Sequence, residues 1–91
     1  MSTSTERAVA QEAINASLVE FVTRQAKTSV TTDVDLFGSG LVSSLFAMQL
    51  VAHVESTFGV TVRGPDLTLA NFRTVADITR LVLRLRGHDG G

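Results

Sequence analysis

Two imidazoles, no thiol and a serine pair at positions 43 and 44 are the main groups this 91-residue chain offers for chemistry. Nucleophilic catalysis needs a hydroxyl or thiol, a base within reach and an arrangement that stabilises an oxyanion. The only imidazoles are His53 and His88. His88 lies in a polar, glycine-rich tail, and His53 falls two turns into a helical pattern, where a solvated ring is expected. Two distant histidines without neighbouring carboxylate pairs lack a metal-ligand spacing. No catalytic residue and no metal site are therefore expected. Cysteine is absent, which removes disulfides and thiolate sites, so any thiol chemistry would need an added prosthetic group.

The elements that would position such a group follow from periodicity. Ala10, Ile14, Leu18, Phe21 and Val22 recur at helical spacing and predict a first helix over about Glu6 to Gln25. Lys27 to Ser43 loses that period and carries Asp33, Asp35, Gly38 and Gly40, which reads as a long loop anchored by Leu36, Phe37 and Leu41. A second helix is expected from Ser43 or Ser44 to Phe58, with Leu45, Met48, Val51, Val54 and Phe58 along one side and Gly59 as its C-terminal cap. Val60 to Asp66, broken by Gly64-Pro65, is expected to be loop. Thr68 to Phe72 predicts a single helical turn. Thr74 followed by Asp77 resembles an N-cap opening a last helix, with Val75, Ile78, Leu81, Val82 and Leu85 on its buried face.

This pattern gives an all-α fold: a four-helix bundle with a long first loop and a short third helix, in a single domain over 1–91. About 6–86 are expected to be ordered, with 1–4 and 87–91 frayed.

Composition narrows the function classes. Hydrophobic residues are 44% of the chain and are spread along it, which suits a compact fold. Net charge is −1 and the basic residues are scattered, so nucleic-acid binding has no support. The loose cluster Arg80, Arg84 and Arg86 is expected in a last helical turn, complementing the helix dipole. No window approaches the roughly 18 apolar residues of a membrane span and the N-terminus lacks the pattern of a secretory signal, so a cytoplasmic protein is expected. Asn15-Ala16-Ser17 matches a glycosylation acceptor by chance.

The segment Asp35-Leu-Phe-Gly-Ser-Gly-Leu-Val-Ser-Ser44-Leu-Phe-Ala-Met-Gln-Leu50 and its continuation to Val60 resemble the acyl and peptidyl carrier protein family. In that family a glycine-containing loop leads to a serine that opens the second helix and carries 4'-phosphopantetheine. The family places apolar residues one, four, six and seven positions after the serine and a phenylalanine fourteen after. Leu45, Met48, Leu50, Val51 and Phe58 comply when Ser44 is the attachment residue. Taking Ser43 shifts all of them by one and puts polar or small residues where the core needs bulk. Asn71-Phe72-Arg73-Thr74-Val75 also resembles the way the family begins its last helix, and the likeness covers roughly Leu18 to Leu85. One position departs: the family usually has aspartate just before the serine, and here it is Ser43.

The resemblance implies a carrier and no enzyme. A phosphopantetheinyl transferase would install the arm at Ser44 from coenzyme A, and the arm's thiol would hold an acyl group as a thioester. The run from Gly40 to Leu50 is similar to discrete carriers of unusual polyketide extender units. That implies a freestanding, monomeric carrier in polyketide or related antibiotic biosynthesis, served by acyl-loading and acyl-modifying enzymes and a polyketide synthase acyltransferase or ketosynthase. A peptidyl carrier in nonribosomal peptide assembly is the alternative within the family, and a helical interaction module that never receives an arm is the alternative outside it. Because Glu55 is the only carboxylate of the second helix, partner contacts are expected to lean on apolar side chains near its start: Leu45, Phe46 and Met48.

Overall fold

A computed structural model describes residues 3–90, with side chains placed over 8–87. The elements are α1 (Thr3–Ala26), α2 (Ser44–Phe58), a 3₁₀ turn (Gly64–Asp66), α3 (Leu69–Phe72) and α4 (Val75–Gly90). The architecture is all-helical, as the periodicity predicts. The fraying expected at 1–4 and 87–91 falls partly on Met1, Ser2 and Gly91, which lie outside the described residues. For the rest, α1 begins at Thr3, three residues ahead of the expected Glu6, and α4 continues past Gly87 to Gly90.

The core is built from helical repeats that meet at the centre. Ile14, Leu18 and Val22 come from α1, Leu50 and Val54 from α2, Phe72 from α3, and Val75, Ile78, Leu81 and Val82 from α4. Each fully buried aliphatic side chain is worth about 1.5–3 kcal/mol over leaving it exposed. Helix α4 packs against both α1 and α3. One polar contact is buried with these groups, Thr79 Oγ1 donating to Asn15 Oδ1. The Asn15 side chain therefore has a structural role between α1 and α4.

The inner face of α2 differs from the expected stripe. Leu50 and Val54 are buried, with Phe46, Val51 and Phe58 partly so, whereas Leu45 and Met48 are each 73% exposed. Phe46, Leu50, Val54 and Phe58 follow one another at four-residue steps and turn one row of the helix inward. The helix has apolar residues on more than one side, so periodicity alone did not choose among them. The Arg80, Arg84 and Arg86 assignment also changes, because α4 extends to Gly90 and these residues sit mid-helix. Arg80 pairs with Asp77, and Arg84 Nη2 reaches Asp66 Oδ1 at 3.0 Å.

The long first loop is held by the core at three points. Leu36 is fully buried, and Val30 and Val42 nearly so; Phe37 and Leu41 are partly buried. Its backbone is stitched to the start of α4: Leu36 N–H donates to Arg73 O at 2.8 Å and Ala76 N–H to Thr32 O at 3.0 Å. These bonds satisfy groups that a helix end and an irregular loop would otherwise leave unpaired. Thr74 Oγ1 completes the junction, accepting from Asp77 N–H at 3.0 Å and donating to Asp77 Oδ2 at 2.9 Å. This is the N-cap expected there.

The segment after α2 is pinned in a similar way. Gly59 takes a left-handed conformation, φ +66°, and its N–H reaches Glu55 O at 3.0 Å, closing the helix as expected. Glu55 Oε2 then accepts Val62 N–H at 2.8 Å, and Val60 and Val62 enter the core. The region expected to be loop thus ends in a short 3₁₀ turn led by Gly64-Pro65, where proline fits because a first-turn residue needs no N–H partner. Thr68 Oγ1 accepts Asn71 N–H at 3.3 Å and caps the single turn of α3.

Candidate functional site

The loop that delivers the chain to α2 is a closed turn. Asp35 Oδ1 accepts the Gly38 N–H at 2.8 Å, Ser39 N–H donates to Asp35 O at 3.0 Å, and Val42 N–H donates to Leu36 O at 2.9 Å. Gly38 cannot gain a side chain without displacing the carboxylate, since a Cβ there would lie 2.6 Å from Asp35 Oδ2. Gly40 has φ +80° and nothing crowding it, so backbone conformation selects glycine at that position. The turn leaves Ser43 extended, φ −89° and ψ 170°, directly ahead of the helix.

Ser43 is the N-cap of α2. Its Oγ accepts the Phe46 N–H at 3.2 Å, and its carbonyl accepts the Ala47 N–H at 2.8 Å. Ser44, the first helical residue, is thereby relieved of capping and is exposed. Because Phe46 N–H and Ala47 N–H are satisfied, the donors left at this helix start are those of Ser44 and Leu45. The first turn of α2 contains no acidic side chain. An anionic group on Ser44 therefore meets the positive end of the helix dipole with no opposing carboxylate in that turn. These features fit a phosphodiester on Ser44: an accessible hydroxyl, free backbone donors beside it, and an open backbone at Gly40.

A family model described as a phosphopantetheine attachment site matches residues 16–82, most of the chain. The chain belongs to the phosphopantetheine-attachment family. Members of this carrier family hold a 4'-phosphopantetheine group covalently, have no catalytic function of their own, and work with phosphopantetheinyl transferases and acyl-handling enzymes. No curated protein matches the chain. No helix of the carrier is long and apolar enough to cross a membrane among the described residues, and no group of three or more potential metal ligands occurs among them.

The predicted partner residues separate on the surface of the carrier. Leu45 and Met48 project outward, while Phe46 turns toward α1 and stacks on Phe21 with ring centroids 5.6 Å apart. Sequence reasoning missed Leu67 and Leu69, exposed at 51% and 55%. With Phe37, Ala47, Val51, Thr68 and Phe72 they line a largely apolar groove of about 260 Å³ between α2 and α3. Their only signal was a leucine pair in a segment too short to show periodicity. On the other flank of α2 a cleft of about 340 Å³ is lined by Gln25, Leu41, Ser43, Leu45, Phe46 and Gln49.

His53 departs from the expectation of a solvated ring. It stacks on Phe21 with centroids 3.9 Å apart and an angle of 11° between planes, and its Nε2 is buried without a hydrogen-bond partner. The α1–α2 packing covers the ring, a consequence of Phe21 facing α2 that neither helix reveals alone. Burial holds the imidazole below its ordinary pKa of 6.5.

Proposed function

We propose that Ser44 is the residue that receives the 4'-phosphopantetheine arm, and that the carrier delivers an acyl extender unit in polyketide or related secondary-metabolite biosynthesis. The observation that supports Ser44 most directly is the capping by Ser43, which engages the Ser43 hydroxyl with Phe46 N–H and leaves Ser44 exposed at the helix start. In the transfer, Ser44 Oγ forms a bond to the phosphorus bearing the pantetheine of coenzyme A. The pyrophosphate linkage breaks, the adenosine bisphosphate leaves, and the serine proton passes to a base of the transferase. The thiol of the arm then supplies thioester chemistry that this cysteine-free chain lacks, and a free thiol suits the reducing cytoplasm.

Leu45 and Met48 are the docking residues of this reading, because each holds a large apolar side chain in water beside Ser44. Phe46 contributes by holding the start of α2 against Phe21. The enzymes that meet this face are the transferase, an acyl-loading enzyme and a polyketide synthase acyltransferase or ketosynthase.

Intact mass tests the assignment. With coenzyme A, magnesium and a broad phosphopantetheinyl transferase, the native protein and Ser43→Ala gain the arm and Ser44→Ala does not. Modification that survives Ser44→Ala and disappears in Ser43→Ala moves the site by one residue. A peptide-assembly carrier is distinguished by the cargo: mass analysis of protein isolated from its own pathway shows an aminoacyl thioester in that case and an acyl extender unit in ours.

A further inference from the structure

We infer that the phosphopantetheinyl transferase docks on one uncharged, largely apolar face that runs from Leu45 and Met48 on α2 across the groove to Leu67 and Leu69, and that charge does not steer the encounter. The inference rests on the Ser44 reading above and adds to it Leu67, Leu69 and the chemistry of the partner surface.

The face is continuous with the modified serine. Ser44, Met48 and Val51 are spaced four and seven residues apart and share one side of α2, with Ala47 beside them. Ala47, Met48 and Val51 line an opening of about 230 Å³ together with Leu67. Ala47, Val51 and Leu67 also line the adjoining opening of about 260 Å³, which Phe37, Thr68, Leu69 and Phe72 complete, so the two are parts of one groove. Thr68 is its one polar lining residue, and the Thr68 Oγ1 accepts the Asn71 N–H. Among the described residues, four of the five large apolar side chains left exposed are Leu45, Met48, Leu67 and Leu69, and only Val9 lies elsewhere, on α1. Such a concentration beside a reacting group marks an interaction surface.

Charge defines the partner. No exposed residue of α2 is charged, and none of Leu67–Ala70 is. Glu55 is partly buried and accepts the Val62 N–H, and Asp66 pairs with Arg84. The exposed charges bordering this segment are Arg63 and Arg73 at its two ends, and Asp35 in the first loop, whose carboxylate accepts the Gly38 N–H. A basic enzyme surface would lose water here without gaining a carboxylate partner, whereas an apolar surface gains burial. The transferase is the occupant because Ser44 Oγ must enter its active site for the bond to phosphorus to form, which covers the surface around Ser44. Before that step the chain carries no arm to fill the groove.

The test follows conversion of the full-length protein by intact mass, with a broad transferase, magnesium and saturating coenzyme A. No mass gain overturns the carrier reading, and this inference falls with it. With a gain, kcat/KM for the carrier is expected to change by less than about twofold between about 0.1 and about 1 M salt, over which the screening length shrinks from about 10 to about 3 Å. A charge-steered encounter slows steeply over that range. Leu67→Asn/Leu69→Asn is expected to raise KM at least about tenfold with kcat unchanged and conversion still complete, since two leucines no longer bury apolar surface. Val9→Asn, remote on α1, keeps the native KM. Circular dichroism of the leucine pair separates lost docking from lost fold, and the salt series needs no variant. A steep fall with salt, or a native KM in the leucine pair, overturns the docking assignment and leaves Ser44 as the attachment residue intact. Sedimentation of the unconverted protein checks the other occupant: a dimer that Leu67→Asn/Leu69→Asn dissociates gives the face to a second copy and also overturns the assignment.

Discussion

His53 and Phe21 lie face to face across the α1–α2 contact, their ring centroids 3.9 Å apart. The imidazole is joined to Thr57 through Nδ1 at 3.3 Å, and its Nε2 has no partner. A neutral ring with hydrogen on Nδ1 satisfies this geometry by donating to Thr57 Oγ1. Protonation would place an N–H on Nε2 with nothing to accept it.

The consequence is a pH dependence of stability. Burial lowers the folded-state pKa of His53 from the ordinary 6.5, so below 6.5 the unfolded chain binds a proton that the folded chain resists. Stability is unaffected by this group above 6.5, falls as pH drops from 6.5 to the depressed folded pKa, and levels off below it. Glu20 and Arg24 pair with each other on α1 at 2.8 Å, and Glu55 on α2 is engaged by Val62 N–H. Urea midpoints measured between neutral pH and pH 5 should decline in the native protein, with a smaller decline in His53→Phe. Equal slopes for the two would contradict the assignment.

Ser43→Ala removes the side-chain acceptor of the α2 cap and is expected to cost about 1 kcal/mol. Ser43→Asp retains a cap acceptor and adds charge of the sign favoured at a helix start, so chemical denaturation should find it at least as stable as the native protein. The pair also bears on the family's usual aspartate at this position, since serine and aspartate can do the same local work there.

Leu36→Ala should cost about 2–5 kcal/mol, the range for emptying a buried aliphatic site. A loosely attached surface loop would lose almost nothing. Denaturant unfolding distinguishes these outcomes, and amide exchange should show the loss of protection at Val42, whose N–H donates to Leu36 O.

Lys27→Gly should raise stability. Lys27 ends α1 with φ +59° and its N–H bonded to Thr23 O at 2.8 Å, a left-handed cap made without glycine. The left-handed conformation costs an L-residue about 1–2 kcal/mol, against about 0.5–1 kcal/mol of added backbone entropy for glycine in the unfolded chain. The expected net gain of about 0.5 kcal/mol is measurable as a higher urea midpoint.

The parts of this molecule legible in its sequence are those governed by local rules. The spacing of Ile14, Leu18 and Val22, the glycine after Phe58, and Thr74 with Asp77 define helices and ends through contacts within about one turn. The loop and serine pattern around Ser44 was legible for a different reason: it resembles a family whose model matches residues 16–82. Which apolar side of α2 faces inward was not legible, because Leu45 and Met48 are as apolar as Leu50 and Val54 and only the position of α1 and α4 decides among them. The same applies to His53, whose environment is made by Phe21 on another helix, and to Val30 and Val42, which look like ordinary loop valines until the core closes over them. Sequence by itself determined the helices, the caps at Gly59 and Thr74 and the family resemblance; tertiary structure decided which side chains water reaches, because burial depends on neighbours distant in the chain.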